Sequence, residues 1–234
     1  MKATLTALTI AATMIASIAS AQDLQKGLLA YLTGDYATAL QELKPLADQG
    51  DPTSQQSLGA MYYFGEGVRQ DYDQAATWYR LAADQGDAAS QAALGVMYQL
   101  GEGVSQDYGQ AASWYRLAAE QGDALAQGRL GYMYDAGMGF SQDYAQAATW
   151  YRLAADQGDA DAQFGLAILH LQGQGVLKDN VMAYMWLNIS AANGNENGVR
   201  GRELAASLMT AEDVSKAQQM ARDCMSSGYQ NCGY

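Results

Sequence analysis

The four tryptophans of this 234-residue chain, Trp78, Trp114, Trp150 and Trp186, stand 36 residues apart. A fixed period of this length is the mark of stacked supersecondary units, and it restricts the possible folds more than any other feature of the chain. Around the first three tryptophans the chain reads DYDQAATWYRLAADQGD (Asp71 to Asp87), DYGQAASWYRLAAEQGD (Asp107 to Asp123) and DYAQAATWYRLAADQGD (Asp143 to Asp159). The fourth copy has drifted to DNVMAYMWLNISAANGN (Asp179 to Asn195). Upstream of each lies a second recurring string: LGAMYYFGEGV from Leu58, LGVMYQLGEGV from Leu94, LGYMYDAGMGF from Leu130 and LAILHLQGQGV from Leu166. Four repeats follow, at 52–87, 88–123, 124–159 and 160–195.

Each repeat reads as two helices. Leu58, Met61 and Tyr62 recur at i, i+3, i+4, and Ala75, Trp78, Tyr79 and Ala82 do the same in the second half, so each helix carries one apolar stripe. Gly65 and Gly67 supply the positive φ of a helix C-terminus and tight turn, and Asp71 with Gln74 forms a capping box. Asp107 with Gln110 and Asp143 with Gln146 repeat that box. Gly59, Gly95, Gly131 and Ala167 form a column of small residues, which lets helices close around the large Trp and Tyr rings. One hairpin cannot bury both faces, so stacking of successive hairpins must create the core.

These strings resemble the Sel-1-like repeat, a relative of the tetratricopeptide repeat. The first three repeats carry nearly every signature position; the fourth departs, with His170 in the Tyr62 column and Leu187 in the Tyr79 column. The resemblance implies an all-α, right-handed α/α solenoid of helix-turn-helix repeats. It also identifies 22–51 as a shortened N-terminal repeat without the GEGV loop, whose Pro45 would remove one helical hydrogen bond and bend its helix. Residues 196–234 resemble the C-terminal capping helices that follow such arrays, with Thr210 and Asp213 as a further capping box.

The start of the chain predicts export. Lys2, an apolar run from Leu5 to Ile18, and Ala19-Ser20-Ala21 before Gln22 match a secretory signal peptide over 1–21, cleaved after Ala21. No later apolar run is long enough to span a bilayer, so a periplasmic or secreted mature chain without membrane insertion is expected. Cys224 and Cys232 are then expected to pair and close a short terminal loop. Thirteen basic against 25 acidic residues, a net charge of −12, leave too little cationic surface for nucleic acid.

Chemistry is hard to find. His170 is the single histidine, which excludes a histidine metal cluster, and its helical position favours a packed side chain. No GxSxG is present, and the GEGV strings lack the Lys-Ser/Thr that follows a phosphate loop. No enzymatic activity, metal or cofactor is expected. Cysteine-rich relatives have been associated with β-lactam binding or hydrolysis, but they place a cysteine pair in every repeat, and no repeat here has one.

Binding is the remaining reading. Three first-helix columns differ most between repeats: Gln56/Ala92/Gly128/Phe164, Ala60/Val96/Tyr132/Ile168 and Tyr63/Gln99/Asp135/Leu171. They fall at i, i+4 and i+7 and so share a helical face, which in related solenoids lines the concave surface. A partner-binding groove including Tyr63, Val96, Gln99, Tyr132 and Asp135 is therefore expected, with tyrosines as anchors. The implied role is a protein-interaction scaffold or regulator of the bacterial cell envelope with a protein partner. The alternatives are a peptidoglycan- or glycan-binding module and, last, a β-lactam enzyme. The repeated Arg80, Arg116 and Arg152, between acidic helix ends, predict a ladder of surface ion pairs between repeats.

Overall fold

The computed structural model describes residues 21–230 and 232; residues 1–20, and with them nearly all of the expected leader, lie outside the described residues. Among the described residues there are twelve helices and no strand. They are α1 (21–32), α2 (Tyr36–Asp48), α3 (Pro52–Phe64), α4 (Tyr72–Ala83), α5 (Ala88–Leu100), α6 (Tyr108–Glu120), α7 (Ala124–Ala136), α8 (Tyr144–Ala155), α9 (Ala160–Gln172), α10 (Asn180–Ala192), α11 (Glu196–Ala206) and α12 (Ala211–Ser226). They divide between two compact bodies, α1 to α5 and α6 to α12, parted between Gln106 and Asp107. Within their bodies α2 to α5 and α6 to α10 pack in succession, and α11 and α12 both pack on α10.

The helix boundaries follow from the punctuation in each repeat. The first helices are capped by Asp51, Asp87, Asp123 and Asp159, the second by Asp71, Asp107, Asp143 and Asp179, and each side chain accepts from a backbone N–H two or three residues on. Each cap satisfies one of the orphan amides of a helix start, a contribution of about 1 kcal/mol. At the other end α3 stops at Gly65, whose φ of 74° a side chain would strain. Thr210 and Asp213 bond to each other at the start of α12. Pro45 sits inside α2, which continues past it to Asp48.

In the N-terminal body, Ala30, Ala39, Leu43, Ala47, Leu58 and Met61 form the core, with Leu24, Leu28 and Tyr31 against them. The core of the C-terminal body is larger, running through Tyr151, Leu166, Leu169, Met185, Trp186 and Leu187 to Ala217, Ala221 and Cys224. Each such fully buried large side chain contributes about 1.5–3 kcal/mol. Cys224 and Cys232 are joined in a disulfide, with Cα atoms 4.5 Å apart.

Three features differ from the sequence reading. The buried ring of each second helix is the tyrosine after the tryptophan: Tyr79, Tyr115 and Tyr151 are buried, whereas Trp78, Trp114 and Trp150 are half-buried. Tyr79 lies four residues from Ala75, at the middle of the stripe, and Trp78 lies at its edge, under the Lys44 ammonium 5.3 Å from its ring. Trp186 is fully buried because α11 and α12 both pack on α10, covering the side that the other second helices leave open. Second, two of the three ladder arginines meet phenols. Arg80 donates to the Tyr98 hydroxyl, and Arg116 Nη2 donates to the Tyr134 hydroxyl at 2.8 Å, each phenol belonging to the next repeat.

The third feature was missed altogether. Gln55, Gln91, Gln127 and Gln163, one per first helix, are buried, and each donates through Nε2 to the carbonyl eight residues before it, at 3.0–3.1 Å. Those carbonyls, of Ala47, Ala83, Ala119 and Ala155, lie in the last turn of the preceding helix, where each also accepts the backbone N–H of the glycine three residues on and the glutamine supplies a second donor. The signal was present as glutamine recurring every 36 residues in an otherwise apolar stripe.

Candidate functional site

The first helices of the third and fourth repeats, α7 and α9, lie side by side. Between them opens a cavity of about 420 Å³. Its lining draws on all three of the columns that differ between repeats: Gly128 and Phe164, Tyr132 and Ile168, and Asp135. The volume falls in the range of side-chain and small-ligand pockets.

Small residues create this space. Tyr151 comes up from α8 between α7 and α9, so close that a Cβ at Gly131 would lie 2.7 Å from its Cδ1 and one at Gly165 2.7 Å from its Cε2. The ring thereby floors the cavity, and its hydroxyl donates to Asp135 Oδ2 at 3.4 Å. Leu125, Phe164 and Ile168 supply the apolar wall, and Tyr132, 43% exposed, stands at the mouth.

The polar groups are unequal. Asp159 is spent as the cap of α9, its Oδ1 accepting from the Ala162 N–H at 2.7 Å. Asp161 accepts from Asn195 Nδ2 at 2.7 Å. Asp135 is half-buried, and this desolvation raises its carboxyl above the usual aspartate range, with the Tyr151 hydroxyl pulling the other way. Among the described residues no cation pairs with it; Arg129, exposed, is the one basic side chain in the lining. Burial likewise raises the Tyr151 phenol.

Tyr132 and Asp135 are thus brought together. The other expected residues lie in the N-terminal body, Tyr63 on α3 and Val96 and Gln99 on α5. Tyr63, in the Asp135 column, turns its hydroxyl to Glu102 Oε2 at 2.6 Å and sets its ring edge-on to Phe64 and Tyr72. Burial first, and then the Glu102 carboxylate, hold its phenol above the ordinary tyrosine range. Val96 and Gln99 are half-buried, and the Gln99 carbonyl accepts from Gln106 Nε2 at 2.8 Å. Sequence reasoning missed Arg129, Tyr151, Asp159, Asp161, Asn195 and Asn197 in the cavity lining. Gly128 and Gly165, standing where the first repeat has Gln56 and Ser57, were the available signal.

His170 is buried at the end of α9 with its Nδ1 3.3 Å from the Leu177 carbonyl and Nε2 without a partner. Desolvation lowers its pKa. Among the described residues, no cluster of His, Cys, Asp and Glu could hold a metal, and no helix is long and apolar enough to cross a membrane.

Comparison with known proteins agrees with this architecture. The Sel1 repeat model matches residues 52–87, 88–123, 124–159 and 160–195. Among solved structures, c5321, a protective antigen present in uropathogenic Escherichia coli strains displaying an SLR fold, is 36% identical, with a TM-score of 0.76 over 90% of this chain and 46% of that one. This chain therefore spans about half the length of that antigen. A Sel1 repeat protein from Oxalobacter formigenes is 32% identical, with a TM-score of 0.70 over 88% of this chain and 74% of that one. A sel1 repeat protein from Klebsiella pneumoniae subsp. pneumoniae, 21% identical with a TM-score of 0.50 over 77% and 89%, shares the fold. No curated protein matches the chain. Proteins built from these repeats are typically protein-interaction scaffolds and generally non-catalytic. With helix pairs packed in succession and four matched repeats, the chain is an all-α protein of the solenoid class and belongs to the Sel1 repeat family.

Proposed function

We propose that this protein is a non-enzymatic interaction scaffold or regulator of the bacterial cell envelope, which docks a protein partner on the face formed by α7 and α9. One observation carries the reading: the columns that vary while their neighbours repeat converge on the cavity between those helices, with Tyr132 at its mouth. An amphipathic ring beside an apolar pocket is the usual form of an interface anchor. The Cys224–Cys232 disulfide supports a periplasmic or secreted location, since such bonds persist in oxidising compartments.

A photo-crosslinking residue in place of Tyr132, used in a cell-envelope extract, tests this when the captured protein is purified and its affinity measured. Tyr132→Ala is expected to weaken that complex by roughly 10–100-fold. Unchanged affinity with an intact fold removes the cavity from the interface. Sedimentation with purified cell wall, or turnover of a chromogenic β-lactam, would replace the scaffold reading with the glycan-binding or the enzymatic one.

A further inference from the structure

We propose that the cavity between α7 and α9 is a socket for one lysine side chain of the partner, its aliphatic stem lying along Phe164 and Ile168 and its ammonium meeting Asp135. This deepens the docking reading and rests on it.

The case begins with charge. The lining holds three carboxylates and one guanidinium, in a chain whose net charge is −12. Two of the carboxylates are already engaged, Asp159 by the start of α9 and Asp161 by Asn195. Asp135 is held most loosely of the three, by the Tyr151 hydroxyl at 3.4 Å against 2.7 Å for the contacts of Asp159 and Asp161. Its Oδ2 takes the Tyr151 hydroxyl, and its Oδ1 has no hydrogen-bond partner among the described residues. A half-buried carboxylate with no cation beside it bears a desolvation cost that an incoming cation offsets, so charge complementarity here favours a positive group.

The geometry then chooses between the two cationic side chains. Arginine gains most from a carboxylate with both oxygens free for its planar fork, and one oxygen of Asp135 is taken. Lysine presents a compact charge at the end of four methylenes, which suits a single free oxygen behind an apolar wall. Arg129 also lines the cavity; it is exposed, so water screens its repulsion of an ammonium at Asp135. The third and fourth repeats alone place an aspartate and a phenylalanine at these positions, where the first repeat has Tyr63 and Gln56.

Capped hexapeptide pools, each with one position fixed to a single residue, test the socket directly with the full-length protein at low salt. Lysine-fixed pools are expected to be retained about tenfold better than norleucine-fixed pools, and several-fold better than arginine-fixed ones. Asp135→Asn should abolish the lysine preference, and Ile168→Lys, which supplies a tethered ammonium, should do the same while circular dichroism confirms both folds. Equal retention of lysine and norleucine pools, arginine pools held as well as lysine, or a preference that survives both substitutions overturns the proposal. The two readings fail separately. A partner captured at Tyr132 without any lysine preference leaves the docking face and removes the socket, whereas a lysine preference with no partner captured removes the docking reading.

Discussion

Gln157 donates through Nε2 to Oε1 of Gln127, 2.8 Å away and thirty residues earlier, while Gln127 itself donates to the carbonyl of Ala119 at 3.1 Å. One buried amide thus joins the end of α6, the start of α7 and the end of α8. The same relay joins Asn193 to Gln163 at 3.0 Å and Gln85 to Gln55 at 2.8 Å. Gln127→Ala removes both bonds of the relay, leaving the Ala119 carbonyl with the Gly122 N–H alone, and is expected to cost about 2 kcal/mol. Gln157→Ala removes an exposed partner and should cost about 1 kcal/mol or less. Urea denaturation of the two variants distinguishes them; equal losses would mean that the relay is not centred on Gln127.

Glycine in a helix interior ordinarily weakens it, so Gly128→Ala in α7 should stabilise the protein by up to about 1 kcal/mol, its new methyl meeting Asp159 at an ordinary 3.5 Å. Three residues later the sign reverses. The methyl of Gly131→Ala would lie 2.7 Å from the Tyr151 ring, and such overpacking costs about 1–3 kcal/mol, more than the propensity gain. Thermal denaturation of both variants checks the contrast.

The buried imidazole of His170 titrates below its ordinary 6.5, through desolvation, with the Arg152 charge adding to it and the Leu177 carbonyl and Asp179 opposing. The folded state therefore binds a proton less readily than the unfolded chain does. Stability should be full above pH 6.5, fall as pH drops from there toward the depressed folded value, and level off below it. His170→Tyr restores the residue of the Tyr62, Tyr98 and Tyr134 column and should remove this slope. Urea midpoints at several pH values between 5 and 8 measure the difference. Asp135 works in the opposite sense nearer pH 4, because its raised carboxyl makes acid stabilising, and it cancels when wild type and variant are compared.

Reducing the Cys224–Cys232 bond, which closes a loop of eight residues, should cost about 2–3 kcal/mol of local stability. Tyr229 lies within that loop and holds Asn193 through its hydroxyl at 2.9 Å, so the loosening should reach the end of α10. Hydrogen exchange with and without reductant would register it as faster exchange at the ends of α10 and α12, with α6 to α8 unchanged. Uniform acceleration across the C-terminal body would contradict a local staple.

Trp78, Trp114, Trp150 and Trp186 announced the helix pairs because a period survives translation into structure unchanged: every Asp cap and every glycine stop lies within a few residues of the helix end it sets. Caps, turns and apolar stripes are local chemistry, and one repeat contains all of it. Tertiary structure decided which ring is buried, that Arg116 meets Tyr134 rather than a carboxylate, and that Gln127 relays between three helices. It decided the site as well. Tyr132, Asp135 and Phe164 were visible as members of varying columns, but Tyr151 and Asp161 were not, and the approach of α7 and α9 depends on two glycines, Gly131 and Gly165, admitting one ring. Distances of this kind are set by close packing between elements, which no single helix encodes.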